Sequence, residues 1–131
     1  MIAVDASAVV TALVTVGPLG VAARSALAQH QLAYPSLMPF EAANALRRLT
    51  VTGSVDAHRA RLGMQRLTEI RGMEIDFNSL ADRVWELRGQ ITVYDASYIA
   101  VAEFVGVPLL TLDARLRRAK GPRCAFVELA T

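Results

Sequence analysis

The central stretch of the chain reads Thr92-Val-Tyr-Asp-Ala-Ser-Tyr-Ile-Ala-Val-Ala-Glu103. Its small apolar residues predict a helix that is buried on most of its surface, because they leave little polar material to face water. A short strand at Ile91–Tyr94 is predicted to deliver Asp95 to the first turn of this helix. Burying a carboxylate costs free energy unless a cation pairs with it. A cation would need further oxygen ligands from elsewhere in the chain.

Length and composition indicate one compact domain over residues 1–131. Of the 131 residues, 53% are hydrophobic and 20% are charged. These values favour a single buried core and argue against disorder. The formal net charge is only +2, so the whole molecule carries no strong field. Thirteen of the fourteen basic residues are arginines, a preference that is compatible with phosphate binding and equally with a GC-rich genome.

Cysteine content and the N-terminal apolar run bear on location. Cys124 is the only cysteine, so no internal disulfide can form and a reducing compartment is expected. The uncharged run Ala6–Ala23 follows an acidic residue and is interrupted by Gly17-Pro18. A membrane-spanning helix needs about 20 apolar residues in one piece. We expect a soluble, cytoplasmic protein with no membrane partner.

Short apolar runs alternate with helical segments along the chain. This alternation predicts an α/β fold of three α/β/α layers, with a short, mainly parallel central sheet flanked by helices. The predicted strands are Met1–Val4, Leu32–Tyr34, Met73–Phe77, Ile91–Tyr94, Leu109–Leu112 and Cys124–Leu129. The predicted helices are Ala6–Val14, Val21–His30, Pro39–Thr52, Val55–Arg71 (capped by Ser54), Asn78–Arg88, one beginning at Asp95, and Ala114–Lys120.

Four carboxylates are predicted to lie near the ends of strands. Asp5 follows the first strand, and Asp113 follows the strand Leu109–Leu112. Glu41 lies in the first turn of the helix after the second strand, and Asp95 begins the central helix. In open α/β sheets the binding crevice lies outside the carboxyl ends of the strands. We therefore expect all four carboxylates to gather at one edge of the sheet.

Each of these acids alone has an ordinary structural explanation. Aspartate is a favoured N-cap, so Asp5, Asp95 and Asp113 could simply begin helices, and Glu41 would gain from the helix dipole. Capping does not predict, however, that four acids converge on one crevice among apolar neighbours. Carboxylates held close together repel one another, and such a cluster is either partly protonated or occupied by a cation. Hard divalent ions, Mg²⁺ or Mn²⁺, suit an all-oxygen set.

Four motifs resemble those of PIN-domain ribonucleases. Ile2-Ala-Val-Asp-Ala-Ser-Ala-Val-Val10 is similar to their N-terminal motif, and Val93–Ala102 is similar to their central acidic motif. Pro108–Leu116, with Thr111-Leu-Asp113, is similar to the last motif, and Glu41–Arg48 resembles the helix of the second acid. The order, spacing and small size together resemble the VapC toxins of bacterial toxin–antitoxin pairs, over essentially the whole chain.

This resemblance implies a Mg²⁺- or Mn²⁺-dependent endoribonuclease that acts as a homodimer and is inhibited by a VapB-type antitoxin. Carried over position by position, the acidic catalytic residues are Asp5, Glu41, Asp95 and Asp113. We hypothesise that Asp5, Asp95 and Asp113 hold the metal, whereas Glu41 orients or deprotonates the attacking water. Ser7 and Thr111 match polar residues that support the metal site.

Several further residues are candidates for contacts with RNA. Asn44 and Arg48 lie three and seven residues beyond Glu41, on the same helical face. Arg115, Arg117 and Arg118 follow Asp113 and could grip the RNA backbone, although a solvated basic helix end explains them equally well. Trp85 and Tyr98 fit the protein core or a dimer contact better than base stacking. The apolar helix faces exceed what a small sheet buries, which favours a partner such as a second copy or an antitoxin.

Two other classes of protein share parts of this pattern. A receiver-like phosphoacceptor module also has acids at strand ends, but it needs a paired acid after the first strand and a lysine soon after a late one. Here Ala6-Ser7 follows Asp5, and Lys120 lies well past Leu112. A haloacid-dehalogenase-type phosphatase would need a second aspartate at Ser7. A PIN-domain RNA-processing nuclease without a toxin role stays open.

Overall fold

The computed structural model describes residues 1–131 and contains four strands and seven helices. In chain order the strands are β1 (Ile2–Val4), β2 (Leu32–Pro35), β3 (Met73–Ile75) and β4 (Leu109–Leu110). The helices are α1 (Ala6–Val14), α2 (Pro18–Gln29), α3 (Met38–Val51), α4 (Ala57–Glu69), α5 (Phe77–Glu86), α6 (Val93–Val105) and α7 (Ala114–Arg118).

The sheet is entirely parallel, with strand order β3-β2-β1-β4. β1 is therefore a central strand, and Ala3 pairs with Ala33 on one side and with Leu109 on the other. Because all four strands point the same way, the residues that follow β1 and β4 lie at one edge of the sheet. The predicted three-layer α/β/α class is confirmed.

The helix that the central motif predicts is α6, and it packs directly on the sheet. It contacts β1, β2 and β4, and it also packs against α5. In a separate group of helices, α1 packs against α2, α3 and α4. All residues from Ala96 to Ala102 are buried. Small side chains allow this close approach of helix and sheet, and Ile99, at 0% exposure, is one of the largest fully buried side chains of the core.

The apolar N-terminal run forms two helices rather than one. Gly17 adopts a positive φ of 90°, a conformation that glycine tolerates at little cost, and Pro18 begins α2. No single helix of this fold has both the length and the apolar character for crossing a membrane. Only α1 and α2 taken together reach that length, and they meet at a bend of 115°.

The predicted strand at Ile91–Tyr94 is wrong. These residues form a loop and the first turn of α6, and the Thr92 hydroxyl caps the helix by accepting a hydrogen bond from the Asp95 backbone N–H at 3.1 Å. Asp95 is consequently the third residue of the helix and not its cap. The backbone N–H is thus capped by Thr92, and hydrogen bonding with the Thr92 side chain partly counteracts the rise in the pKa of the Asp95 carboxylate.

The other corrections concern the ends of elements. Cys124–Leu129 forms only an isolated bridge, in which Phe126 pairs with Leu109, rather than a full strand. Asp56 caps α4 in place of Ser54, and Asp76 caps α5 in place of Asn78. Each of these aspartates accepts a hydrogen bond from a backbone N–H three residues later, which a nearby serine or asparagine could equally have done.

The burial of α6 predicts a large effect of truncating its central side chain. Ile99→Ala should lower the free energy of unfolding by about 2–5 kcal/mol, because it leaves a cavity in the core. Val93→Ala, at a half-exposed site in the first turn of the same helix, should change it by less than about 0.5 kcal/mol. Urea denaturation followed by circular dichroism measures both values. Equal effects of the two substitutions would contradict this packing.

Candidate active site

Asp5 is the most enclosed acid of the molecule, with only 5% of its surface exposed. It leaves the carboxyl end of β1 and caps α1, where its Oδ1 accepts hydrogen bonds from the Ala8 backbone N–H at 3.0 Å and the Ser7 hydroxyl at 2.6 Å. Its Oδ2 accepts a hydrogen bond from the Thr111 hydroxyl. Three donors therefore hold this carboxylate in one orientation.

The same hydroxyl groups tie β1 to the segment that follows β4. The Ser7 hydroxyl accepts a hydrogen bond from the Leu112 backbone N–H at 2.9 Å, and the fully buried Thr111 hydroxyl accepts one from the Asp113 backbone N–H at 3.1 Å. The two supporting residues thus fix Asp5 and the backbone of Asp113 relative to each other. Asp113 in turn caps α7 through the Arg115 backbone N–H at 2.9 Å, and its carboxylate lies 3.5 Å from the Arg115 guanidinium.

Glu41 reaches the same place from α3. It lies in the first turn of that helix, and its Oε1 accepts a hydrogen bond from the Tyr98 hydroxyl at 2.6 Å. Tyr98 is 2% exposed and lies one turn beyond Asp95 on α6. Of the two expected places for Tyr98, the core and a dimer contact, its burial confirms the core, but the hydrogen bond to Glu41 was not predicted. Its spacing of three residues from Asp95, which puts both side chains on one helix face, was the available signal.

These elements enclose a cavity of about 300 Å³ at the carboxyl edge of the sheet. All four predicted carboxylates line it, and so do the predicted RNA contacts Asn44 and Arg48. The polar lining is Asp5, Ser7, Glu41, Asn44, Arg48, Asp95, Tyr98 and Asp113. The structure thus brings together side chains from four separate regions of the chain.

The three arginines of α7 have different positions. Arg117 points away from the cavity: it donates hydrogen bonds to the Val127 carbonyl at 3.1 Å and to Glu128, and its guanidinium lies 5.5 Å from the Phe126 ring centroid. It holds the C-terminal segment against α7. Arg115 and Arg118 instead line a separate groove that begins at Asp95.

Burial and the nearby charge of Asp113 raise the pKa of two carboxylates of the cavity. Burial raises the pKa of Asp5, hydrogen bonds from Ser7 and Thr111 counteract this rise in part, and the negative charge of Asp113 adds to it. Burial also raises the pKa of Asp95, again with a contribution from Asp113. None of the ion pairs in the molecule involves Asp5. The charge of Asp5 is therefore not neutralised by any cation of the chain.

The comparison with known families agrees with this arrangement. A family model described as PIN domain matches residues 2–122. The chain belongs to the PIN domain family. The predicted family is thereby confirmed, and the receiver and phosphatase alternatives are excluded.

Known relatives of this PIN domain have closely similar lengths. It is 38% identical to Ribonuclease VapC9 of Mycobacterium tuberculosis over 127 residues, which cover 95% of this chain and 94% of that protein. It is 35% identical to Ribonuclease VapC1 of the same organism over 122 residues, which cover 92% of each. It also resembles the crystal structure of PAE2754 from Pyrobaculum aerophilum, with a TM-score of 0.61 and 31% identity over 87% of this chain and 75% of that one.

The donor chemistry of the cavity fits a hard divalent cation. The lining offers carboxylate, hydroxyl and amide oxygens, which are the ligands that Mg²⁺ and Mn²⁺ prefer. It contains no thiol or imidazole. The uncompensated charge of Asp5 supplies the electrostatic attraction. In this structure no three acidic or imidazole side chains approach closely enough to ligate one ion. Binding would therefore have to draw carboxylates of this PIN domain together.

Asp95→Asn is expected to raise the melting temperature of the metal-free protein at neutral pH, because it removes a desolvated charge that Asp113 repels. The raised pKa means that the folded state favours protonated Asp95. The wild type is therefore penalised above that pKa, and the penalty disappears as the pH falls below the unfolded value near 3.8. Differential scanning fluorimetry in chelating buffer, from acidic to neutral pH, measures the difference in melting temperature between Asp95→Asn and the wild type. A lower melting temperature for Asp95→Asn at neutral pH would show that Asp95 is chiefly structural.

Tyr98→Phe removes only the hydroxyl that holds Glu41. We expect kcat for RNA cleavage to fall by about tenfold with KM little changed, because a misplaced acid–base group slows the chemical step. Tyr94→Phe is the matched control, since Tyr94 lies on the same helix and is 61% exposed. Steady-state cleavage kinetics at a fixed Mn²⁺ concentration test this role. Equal kcat values for the two variants would contradict a role of Tyr98 in positioning Glu41.

Proposed function

We propose that this PIN domain, taken as a single domain over residues 1–131, is a VapC-type endoribonuclease that hydrolyses RNA phosphodiester bonds with Mg²⁺ or Mn²⁺. One observation carries the proposal: four carboxylates from separate parts of the chain line one cavity, and the most buried of them, Asp5, has no cationic partner. Relatives named as VapC ribonucleases, 35–38% identical over nearly the whole chain, support the ribonuclease assignment.

Asp5, Asp95 and Asp113 would hold the metal. A bound divalent ion supplies polarisation of a phosphoryl oxygen and an activated water. The Ser7 and Thr111 hydroxyls keep both oxygens of Asp5 oriented, so little reorganisation is needed at that ligand. Asp95 does not cap α6 and lies in its first turn, where the charge of Asp113 contributes to its raised pKa; a bound cation would relieve that repulsion.

Glu41 would orient the attacking water and accept its proton. The hydrogen bond from Tyr98 occupies Oε1 and leaves Oε2 available for that task. Asn44 and Arg48, both exposed and on the same wall of the cavity, would contact the phosphate at or beside the scissile bond. Arg115 and Arg118 would hold the RNA backbone outside the cavity, whereas the contacts of Arg117 with the C-terminal segment favour a structural role.

The partners that this function requires are RNA, a VapB-type antitoxin and a second copy of the chain. Large apolar side chains on the surface support a protein partner: Phe40 is 80% exposed, Val16 75% and Val51 74%. An RNA substrate is available in the cytoplasm, and we propose that location.

Asp5→Asn should lower the rate of RNA cleavage at least about 100-fold, because it weakens a metal interaction worth several kcal/mol in the transition state. Asp82→Asn is the matched control, since Asp82 is an exposed acid of α5 outside the cavity. Both variants are compared with the wild type in cleavage of purified RNA with Mn²⁺, and in growth of bacteria expressing each protein at matched levels. Equal cleavage by all three would contradict the mechanism. Cleavage without growth arrest would favour an RNA-processing nuclease over a toxin.

A further inference from the structure

A second groove of about 650 Å³ opens beside the carboxylate cavity. One wall comes from the loop between α5 and α6 and the start of α6, and the other comes from α7 and the residue after it. Asp95 lines both the groove and the cavity. The two spaces therefore adjoin at a carboxylate that we assign to the metal site.

The charged side chains of this groove are mostly cationic. Arg88, Arg115 and Arg118 line it, and Asp95 is its only acid. Arg115 lies near the Asp113 carboxylate, but neither Arg88 nor Arg118 forms an ion pair, and both are exposed. Exposed arginines that face each other without carboxylate partners suit an anionic ligand with several charges.

An exposed indole extends the groove at Arg88. The Arg88 guanidinium lies 4.7 Å from the centroid of the Trp85 ring and donates a hydrogen bond to the Trp85 carbonyl at 2.7 Å. Trp85 is nevertheless 63% exposed, whereas the neighbouring Val84 and Leu87 are buried. Of the two expected places for Trp85, the core is therefore wrong, and a dimer contact stays a prediction. An indole held in place by a cation and open to solvent is suited to stacking on a nucleobase.

We propose that the groove and Trp85 form a binding track for the single-stranded RNA next to the scissile phosphate. Arg115 and Arg118 contact the phosphates nearest the cavity, Arg88 contacts a phosphate on the opposite wall, and Trp85 stacks on a base beyond it. The inference rests on the proposed ribonuclease function. RNA is favoured over a second copy of the chain because the groove leads to the reactive carboxylates, and because Arg88 and Arg118 have no carboxylate partner and can therefore meet phosphates.

Binding of a short, fluorescently labelled single-stranded RNA of mixed sequence tests the track, in chelating buffer to prevent cleavage. Arg88→Gln and Arg118→Gln should each weaken binding and make the dependence of log affinity on log salt shallower by about 0.7, the value for one lost phosphate contact on a single strand. Trp85→Ala should weaken binding by roughly 5- to 100-fold with an unchanged salt slope. Trp85→Phe should recover part of this loss, because a smaller aromatic face remains.

Arg61→Gln is the matched control, since Arg61 is an exposed arginine of α4 that lines neither space; it should lower affinity and slope less than the groove variants do. Melting temperatures show whether each variant is folded, and wild-type cleavage with Mn²⁺ is measured in parallel.

If the wild type binds and cleaves RNA but the groove variants match Arg61→Gln, the track is wrong and the proposed function stands. If Trp85→Ala changes the oligomeric state and not the RNA affinity, Trp85 belongs to a protein interface and the track is overturned. A wild type that neither binds nor cleaves RNA would contradict both.

Discussion

The buried charge of Asp5 is the constraint on which the rest of this structure depends. The carboxylate stands at the end of the central strand β1 with 5% of its surface exposed and no cationic side chain paired to it. Hydrogen bonds from Ser7, Ala8 and Thr111 compensate part of the lost hydration, but burial still raises its pKa. A bound ligand can offset the cost of burying such a charge, and a divalent cation does so most directly by pairing with it.

The parallel sheet makes this arrangement possible. Because β1 and β4 are neighbours, the residues after them meet at one edge, and the Thr111 hydroxyl can bond the Asp5 carboxylate and the Asp113 backbone at once. The small residues of α6 let that helix lie close against the sheet, so Asp95 and Tyr98 reach the same edge. The walls of the cavity thus come from the sheet edge and from α1, α3 and α6.

The sequence predicted the strands and the edge at which the acids meet, whereas one helix start and several side-chain contacts were not predicted. Apolar runs indicated all four strands, and the strand-end rule placed the four carboxylates on one edge. Ile91–Tyr94 resembles a strand in composition, but the Thr92 cap and the packing of α6 make its end helical. The hydrogen bond between Tyr98 and Glu41 joins residues 57 positions apart. The position of Arg117 depends on Phe126 and Glu128, whose fold no local pattern shows.

The central claim is that a divalent cation neutralises this carboxylate cluster. The most direct measurement is the crystal structure of the protein grown with Mn²⁺, with anomalous diffraction data collected at a wavelength where manganese scatters strongly. The account predicts an anomalous peak within ligand distance of Asp5, with Asp95 and Asp113 drawn toward the ion. A well-ordered site without a peak at a saturating Mn²⁺ concentration would contradict it. A peak confined to other residues would also contradict it.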